Sequence, residues 1–231
     1  MLKKSILAAI AVFCAVSSIA LFLPYHRMVY LAGRGNLSEC QQSLCCLIAA
    51  ILFFTAYLRR TGDSNLFGSK RNLFLLVMAT GAFFVGGETI SWGQRLFYFR
   101  TSSALVHVNM QAETNIHNLM LLKKHPLLDP KFMFPKILTA YFFFLPLLGR
   151  LSRPSSVFLG RIGLPLVPLS LGAAFAAIIL KFRFLPWEKS LALRQAYMQL
   201  KQSDIIFFVM MSAVWFLFRP KGDSSPEPAG S

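Results

Sequence analysis

GGETISWGQRLFYFRTSSALVHVNMQAETNIHN, residues 86–118, is the stretch on which the reading of this chain turns. It sets Glu88, Ser91, Trp92, Gln94 and Arg95, then Asn109, Gln111, Glu113, Asn115, His117 and Asn118, between segments apolar enough for lipid. Buried polar groups need hydrogen-bonding partners, and charged ones need pairing or hydration. Two polar segments flanked by hydrocarbon-compatible sequence are therefore expected to fold together at the lipid–water boundary.

The composition around them is that of a membrane scaffold. Of 231 residues, 55% are hydrophobic and 14% charged, with a mean hydropathy of +0.56, whereas soluble domains carry about 25% charged residues. The apolar residues fall in blocks, and a hydrocarbon layer of about 30 Å needs roughly 20 residues per helix. Blocks give spans at about 5–23, 43–58, 73–90, 132–148, 162–180 and 205–218. The expected fold class is all-α: a polytopic integral membrane helical bundle with about six transmembrane helices plus one or two interfacial amphipathic helices. Residues 1–218 form one domain, and the Pro-, Gly- and Ser-rich stretch 219–231 reads as a disordered tail.

The first apolar run, Ser5 to Leu23, continues past the small residues Ser18-Ile19-Ala20 and is longer than a signal-peptide core, so it is read as a membrane helix. Pro165 and Pro168 interrupt the fifth span and should kink it or shift its start. The mixed stretch after Phe182 has apolar spacing at Leu193, Ala196 and Leu200, which suits an interfacial helix, and Ser203-Asp204 are placed to cap the last span.

The formal charge of +15 does not point to nucleic acid. The basic residues sit mostly between apolar blocks, where they hold helix ends at the headgroups, and no long basic run marks a nucleic-acid arm. Membrane lipid is the expected partner. Lys3, Lys4, Arg59, Arg60, Lys70, Arg71, Arg150, Arg153, Arg161, Arg219 and Lys221 cluster in short segments on one side. The positive-inside rule then places both termini in the cytoplasm. Cys14, Cys40, Cys45 and Cys46 have neither zinc-site nor disulfide-framework spacing and are read as small packing residues.

If Leu73 to Arg95 is one helix, Glu88, Ser91 or Trp92, and Arg95 share a face. Val108, Ala112, Ile116, Leu119 and Met120 recur at helical period, which predicts an amphipathic helix over 108–120 with Asn109, Glu113 and His117 as a polar stripe. Glu113 and His117 at that spacing suit either a divalent metal, with further ligands from Glu88, His107 or His26, or a hydrogen-bonded acid–imidazole pair. Metal and cofactor stay open. No phosphate-binding glycine loop, nucleophile elbow or His-Glu-x-x-His motif is present.

Glu88-Thr89-Ile90-Ser91-Trp92-Gly93-Gln94-Arg95, followed by Asn109-Met110-Gln111-Ala112-Glu113-Thr114-Asn115-Ile116-His117-Asn118, resembles a segment of a group of uncharacterised bacterial multi-pass membrane proteins. The resemblance implies an integral protein of the bacterial inner membrane and supplies no activity. In that group the first motif commonly opens with two acids, where this chain has Gly87 before Glu88.

Three functional classes follow. The first is a binding or assembly protein, in which Ser91, Trp92, Gln94, Arg95, Asn109, Gln111, Asn115 and Asn118 line a pocket at the outer boundary for a lipid headgroup, small ligand or partner helix. The second is a membrane-embedded hydrolase or transferase acting on a lipid-linked substrate, metal-dependent or not, with Glu88, Glu113 and His117 as catalytic candidates. The third is transport of protons or small solutes, for which only the prolines of the fifth span speak.

Overall fold

The computed structural model describes residues 1–32, 37–59, 69–97, 99–110, 112–116, 119–124, 129–184 and 190–219; the side chains of residues 95, 96, 122, 123 and 130–132 lie outside that description. The described residues are helical apart from connections and one isolated bridge between Asn109 and Leu119. The expected tail, beyond residue 219, lies outside them.

Four helical stretches are long and apolar enough to cross a membrane: Leu2–Ala20, Tyr25–Arg59 (in which 33–36 are undescribed), Met133–Leu151 and Leu191–Phe218. In chain order the helices are α1 (Leu2–Ala20), α2 (Tyr25–Ala32), α3 (Leu37–Arg59) and α4 (Leu73–Thr89). After them come the short α5 (Gln94–Phe97), α6 (Ser103–Val106) and α7 (Met120–Lys124). The chain continues with α8 (Pro130–Thr139), a π-helical turn (Ala140–Phe144), α9 (Leu145–Leu151), α10 (Arg153–Arg161), α11 (Leu169–Arg183) and α12 (Leu191–Phe218).

The core lies where α12 packs on α3, α1 and α11, and α3 on α4. Phe53, Phe142, Phe175, Phe208 and Phe216 are fully buried there. The π turn aims Phe142 inward, with ring centroids 5.4 Å from Phe175 and 5.0 Å from Phe208. Gly172 lets α11 approach that turn, since a Cβ there would stand 2.5 Å from the Phe142 carbonyl oxygen.

Three boundaries differ from the sequence reading. Pro165 and Pro168 delay the fifth helix until Leu169, because proline disfavours helix at its own position and in the residue before it. The segment ahead of it is held instead by Asn72, which donates to the Gly163 carbonyl at 2.7 Å, and by the Tyr141 hydroxyl, which donates to the Pro165 carbonyl. The last helix begins at Leu191, with Ser190 as its N-cap accepting from the Leu193 amide. Ser203 and Asp204 are thus mid-helix and buried rather than capping residues. The separately read interfacial helix is the first half of α12, its residues Leu193, Ala196 and Leu200 packed against Met28, Ala32 and Phe182.

The fourth difference concerns the central stretch. The described residues between 107 and 119, which leave out 111, 117 and 118, form turns and bends with one bridge, not an amphipathic helix, and α4 stops at Thr89 instead of running on to Arg95. Asn109 and Glu113 therefore do not share a helical stripe, and Glu88 and Ser91 do not sit on successive turns of one helix.

Candidate functional site

The site starts at the end of α4. After Thr89 the backbone turns through a single 3-10 turn, Ser91–Gly93, in which Ser91 (φ 50°), Trp92 (φ 55°) and Gly93 (φ 81°) are all left-handed. Glycine adopts that region freely, whereas Ser and Trp each do so at a cost of about 1–3 kcal/mol that surrounding bonds must offset.

Those bonds are present. The turn carries Trp92 back over α4, where its indole Nε1 donates to Glu88 Oε1 at 2.6 Å. The ring meets Phe83 and Phe84 edge-on, at centroid distances of 6.1 and 5.5 Å. It also leaves Ser91 pointing inward, 1% exposed.

The second polar segment closes on the first. The Ile116 amide donates to Glu88 Oε2 at 2.7 Å, so one buried carboxylate joins the helix end to residues 28 positions on. Ser91 Oγ donates to Glu113 Oε2 at 2.7 Å, and Asn115 Nδ2 lies 2.9 Å from the same oxygen and 3.1 Å from Ser91 Oγ. Asn109 Nδ2 donates to the Asn115 carbonyl at 2.5 Å and to its side-chain oxygen at 3.0 Å. Gln94 bridges both ways: its Oε1 accepts from the Thr114 amide at 2.7 Å and its Nε2 donates to Thr101 Oγ1 at 2.6 Å. The Thr101 hydroxyl donates in turn to the Ala112 carbonyl at 2.6 Å.

A helix over 108–120 would have used these backbone groups internally. Instead, side-chain amides, hydroxyls and carboxylates take them, the competition that makes Asn, Thr and Ser poor helix-interior residues. Ala112 is left-handed (φ 52°), which is incompatible with a regular helix.

The outcome is a cap whose polarity is inverted. Glu88, Ser91, Asn109 and Asn115 are buried, whereas Phe97, Val108, Met110 and Ile116 are exposed. The end of α4 that carries the cap is held to α3, where Ser43 Oγ donates to the Gly86 carbonyl at 3.1 Å.

Of the residues nominated from sequence, Glu88, Ser91, Trp92, Gln94, Asn109, Glu113 and Asn115 come together in one network. Gln111, His117 and Asn118 lie outside the described residues, as does the Arg95 side chain. Among the described residues no three His, Cys, Asp or Glu side chains are grouped to hold a metal ion. Thr101 and Thr114, which complete the network, were not singled out by sequence. Thr114 lies inside the amide-rich run, whereas Thr101 is eight residues ahead of Asn109 and carried no signal.

The fold and the site together define the class: an all-helical chain with four helices able to cross a membrane and a polar, hydrogen-bonded cap over one end of a fifth apolar helix. The chain matches no protein-family model, and comparison with curated proteins and with solved structures finds no similar chain.

Proposed function

We propose that the protein is a multi-pass protein of the bacterial inner membrane whose central cap binds a lipid headgroup at the outer boundary. The 17-residue α4 and 15-residue α11 join the four longer helices as spans, making about six. At 1.5 Å per residue they extend about 26 and 23 Å, which tilting neighbours and local thinning accommodate. An even number of spans puts both termini on one side, and the basic clusters of the short connections make that side cytoplasmic. Glu88 and the cap then face outward.

The observation that carries the reading is the inverted polarity of the described residues between 86 and 120. Irregular backbone at membrane depth is tolerated where protein satisfies its polar groups, and exposed Val108, Met110 and Ile116 suit acyl chains better than water. Glu88 and Glu113 offer acceptors for the ammonium or hydroxyl groups of a headgroup. Exposed Arg100, next to the Thr101 that pins the loop, suits its phosphate.

The test is native mass spectrometry of protein extracted from bacterial membranes. Glu88→Gln and Glu113→Gln are expected to lose co-purified lipid that Lys124→Ala keeps, with helical content unchanged. Equal lipid retention in all three overturns the reading.

One observation favours a second reading, a hydrolase or transferase acting on a lipid-linked substrate. Ser91 Oγ donates to a carboxylate at 2.7 Å from a strained left-handed backbone, an arrangement that suits an activated nucleophile. Ser91→Ala separates the two: it keeps bound lipid under both readings and abolishes turnover only under the second.

A further inference from the structure

A second polar cluster lies inside the bundle, away from the cap. Lys181 is two residues before the end of α11, Asp204 is in the middle of α12, and Cys14 and Ser17 are on α1. Lys181 Nζ lies 2.9 Å from Asp204 Oδ2, 2.6 Å from Ser17 Oγ and 3.0 Å from the Cys14 carbonyl. An ammonium has three hydrogens, and each here has one acceptor. Asp204 is the opposite case. It is 0% exposed, and its Oδ1 has no hydrogen-bond partner among the described residues.

An unpartnered carboxylate oxygen in an apolar bundle is costly and points to a missing ligand. We propose that Asp204 Oδ1 is a proton-binding atom, with Lys181 as its tethered counter-cation. A metal ion would need several oxygens, but Cys14, Ser17 and Asp204 Oδ2 are occupied by the ammonium, so one oxygen remains. One oxygen suits a proton.

A polar route leads toward it. Gln199 Nε2 donates to Glu39 Oε1 at 2.9 Å near the start of α3, Gln42 Nε2 donates to Gln199 Oε1 at 2.9 Å, and Gln42 also donates to Ser203, the neighbour of Asp204, at 3.1 Å. The ionisable groups facing Asp204 are Lys181 from α11 and the Cys14 thiol from α1; α3 contributes Glu39 through the two glutamines.

The step is simple in balance: one proton from water adds to Oδ1, giving a neutral acid and changing the site's charge from zero to +1. The ammonium then lacks its counter-charge. Lys181 is 18% exposed and close to a helix end, so its ammonium can swing to the headgroup level, as long basic side chains do. That releases Ser17 and the Cys14 carbonyl, and with them the polar hold on α1. Apart from Ser17, α1 buries only Ile6 and Ile10 fully. Proton uptake at Asp204 thus loosens α1.

Infrared difference spectroscopy on the whole protein in lipid nanodiscs, with isotope-labelled aspartate and a pH titration, tests this. A reversible protonated-carboxyl band is expected in the native chain and in Asp129→Asn, and is absent in Asp204→Asn. Lys181→Met alters that titration, because the ammonium is the counter-charge of the ionised acid. The shift keeps the test decisive if Asp204→Asn fails to fold. A label band that never depends on Asp204, one that appears only with loss of helical circular dichroism, or a titration unmoved by Lys181→Met overturns the proposal.

Discussion

Trp92 and Gly87 are fitted to each other: a Cβ on Gly87 would stand 2.7 Å from two carbons of the Trp92 ring. The hydrogen-bonding of Glu88 depends on this close approach, because the indole that lies over Gly87 is the one that donates to Oε1.

Gly87→Ala is therefore expected to push the indole away from Glu88 and to lower stability by about 1–3 kcal/mol, the usual cost of overpacking. Gly81, on the same helix, has nothing within 4 Å of an added Cβ. Gly81→Ala should instead stabilise by about 0.5–1 kcal/mol through helix propensity. Thermal unfolding in detergent, followed by tryptophan fluorescence and circular dichroism, reads both signs. Destabilisation by both, or by neither, would show that the ring does not pack as described.

Glu88→Gln tests the joint between the two polar segments. The carboxylate accepts from the Trp92 indole on one oxygen and from the Ile116 amide on the other. An amide has one acceptor oxygen and one donor group, so one of those two donors must face an NH2. The expected cost is about 1–3 kcal/mol, that of a buried group losing its partner. Amide hydrogen exchange at Ile116 should rise well above that in Lys124→Ala. Unchanged protection at Ile116 would mean that the cap is held elsewhere.

What could be read from sequence, and what could not, follows the range of the interactions. The apolar blocks were legible because length and composition alone mark a helix able to cross a membrane, and the meeting of Glu88 with residues 113–116 was legible because buried polar groups need partners. The form of that meeting was not. Helical spacing of Val108, Ala112 and Ile116 was real, yet the side chains of Asn109, Gln94 and Glu88 drew the backbone of residues 114–116 into bonds of their own. Asp204 was read with Ser203 as a helix cap because both residues suit the N-cap position ahead of an apolar run. Its partner, Lys181, is brought beside it only by the packing of α11 on α12.

Asn109→Ala probes the far side of the cap. The carboxamide of Asn109 donates to both oxygens of Asn115, and the Asn115 amide group in turn contacts Ser91 and Glu113. Removing it leaves two acceptors buried without that donor and frees Asn115 to rotate. The expected loss is about 1–3 kcal/mol. It should be strongly non-additive with Glu113→Gln, because both substitutions act on the same Asn115 amide. A double-mutant cycle on thermal stability measures the coupling, expected at about 0.5–3 kcal/mol. A coupling indistinguishable from zero would mean that Asn109 and Glu113 do not share Asn115, which would divide the cap into two independent hydrogen-bonded loops.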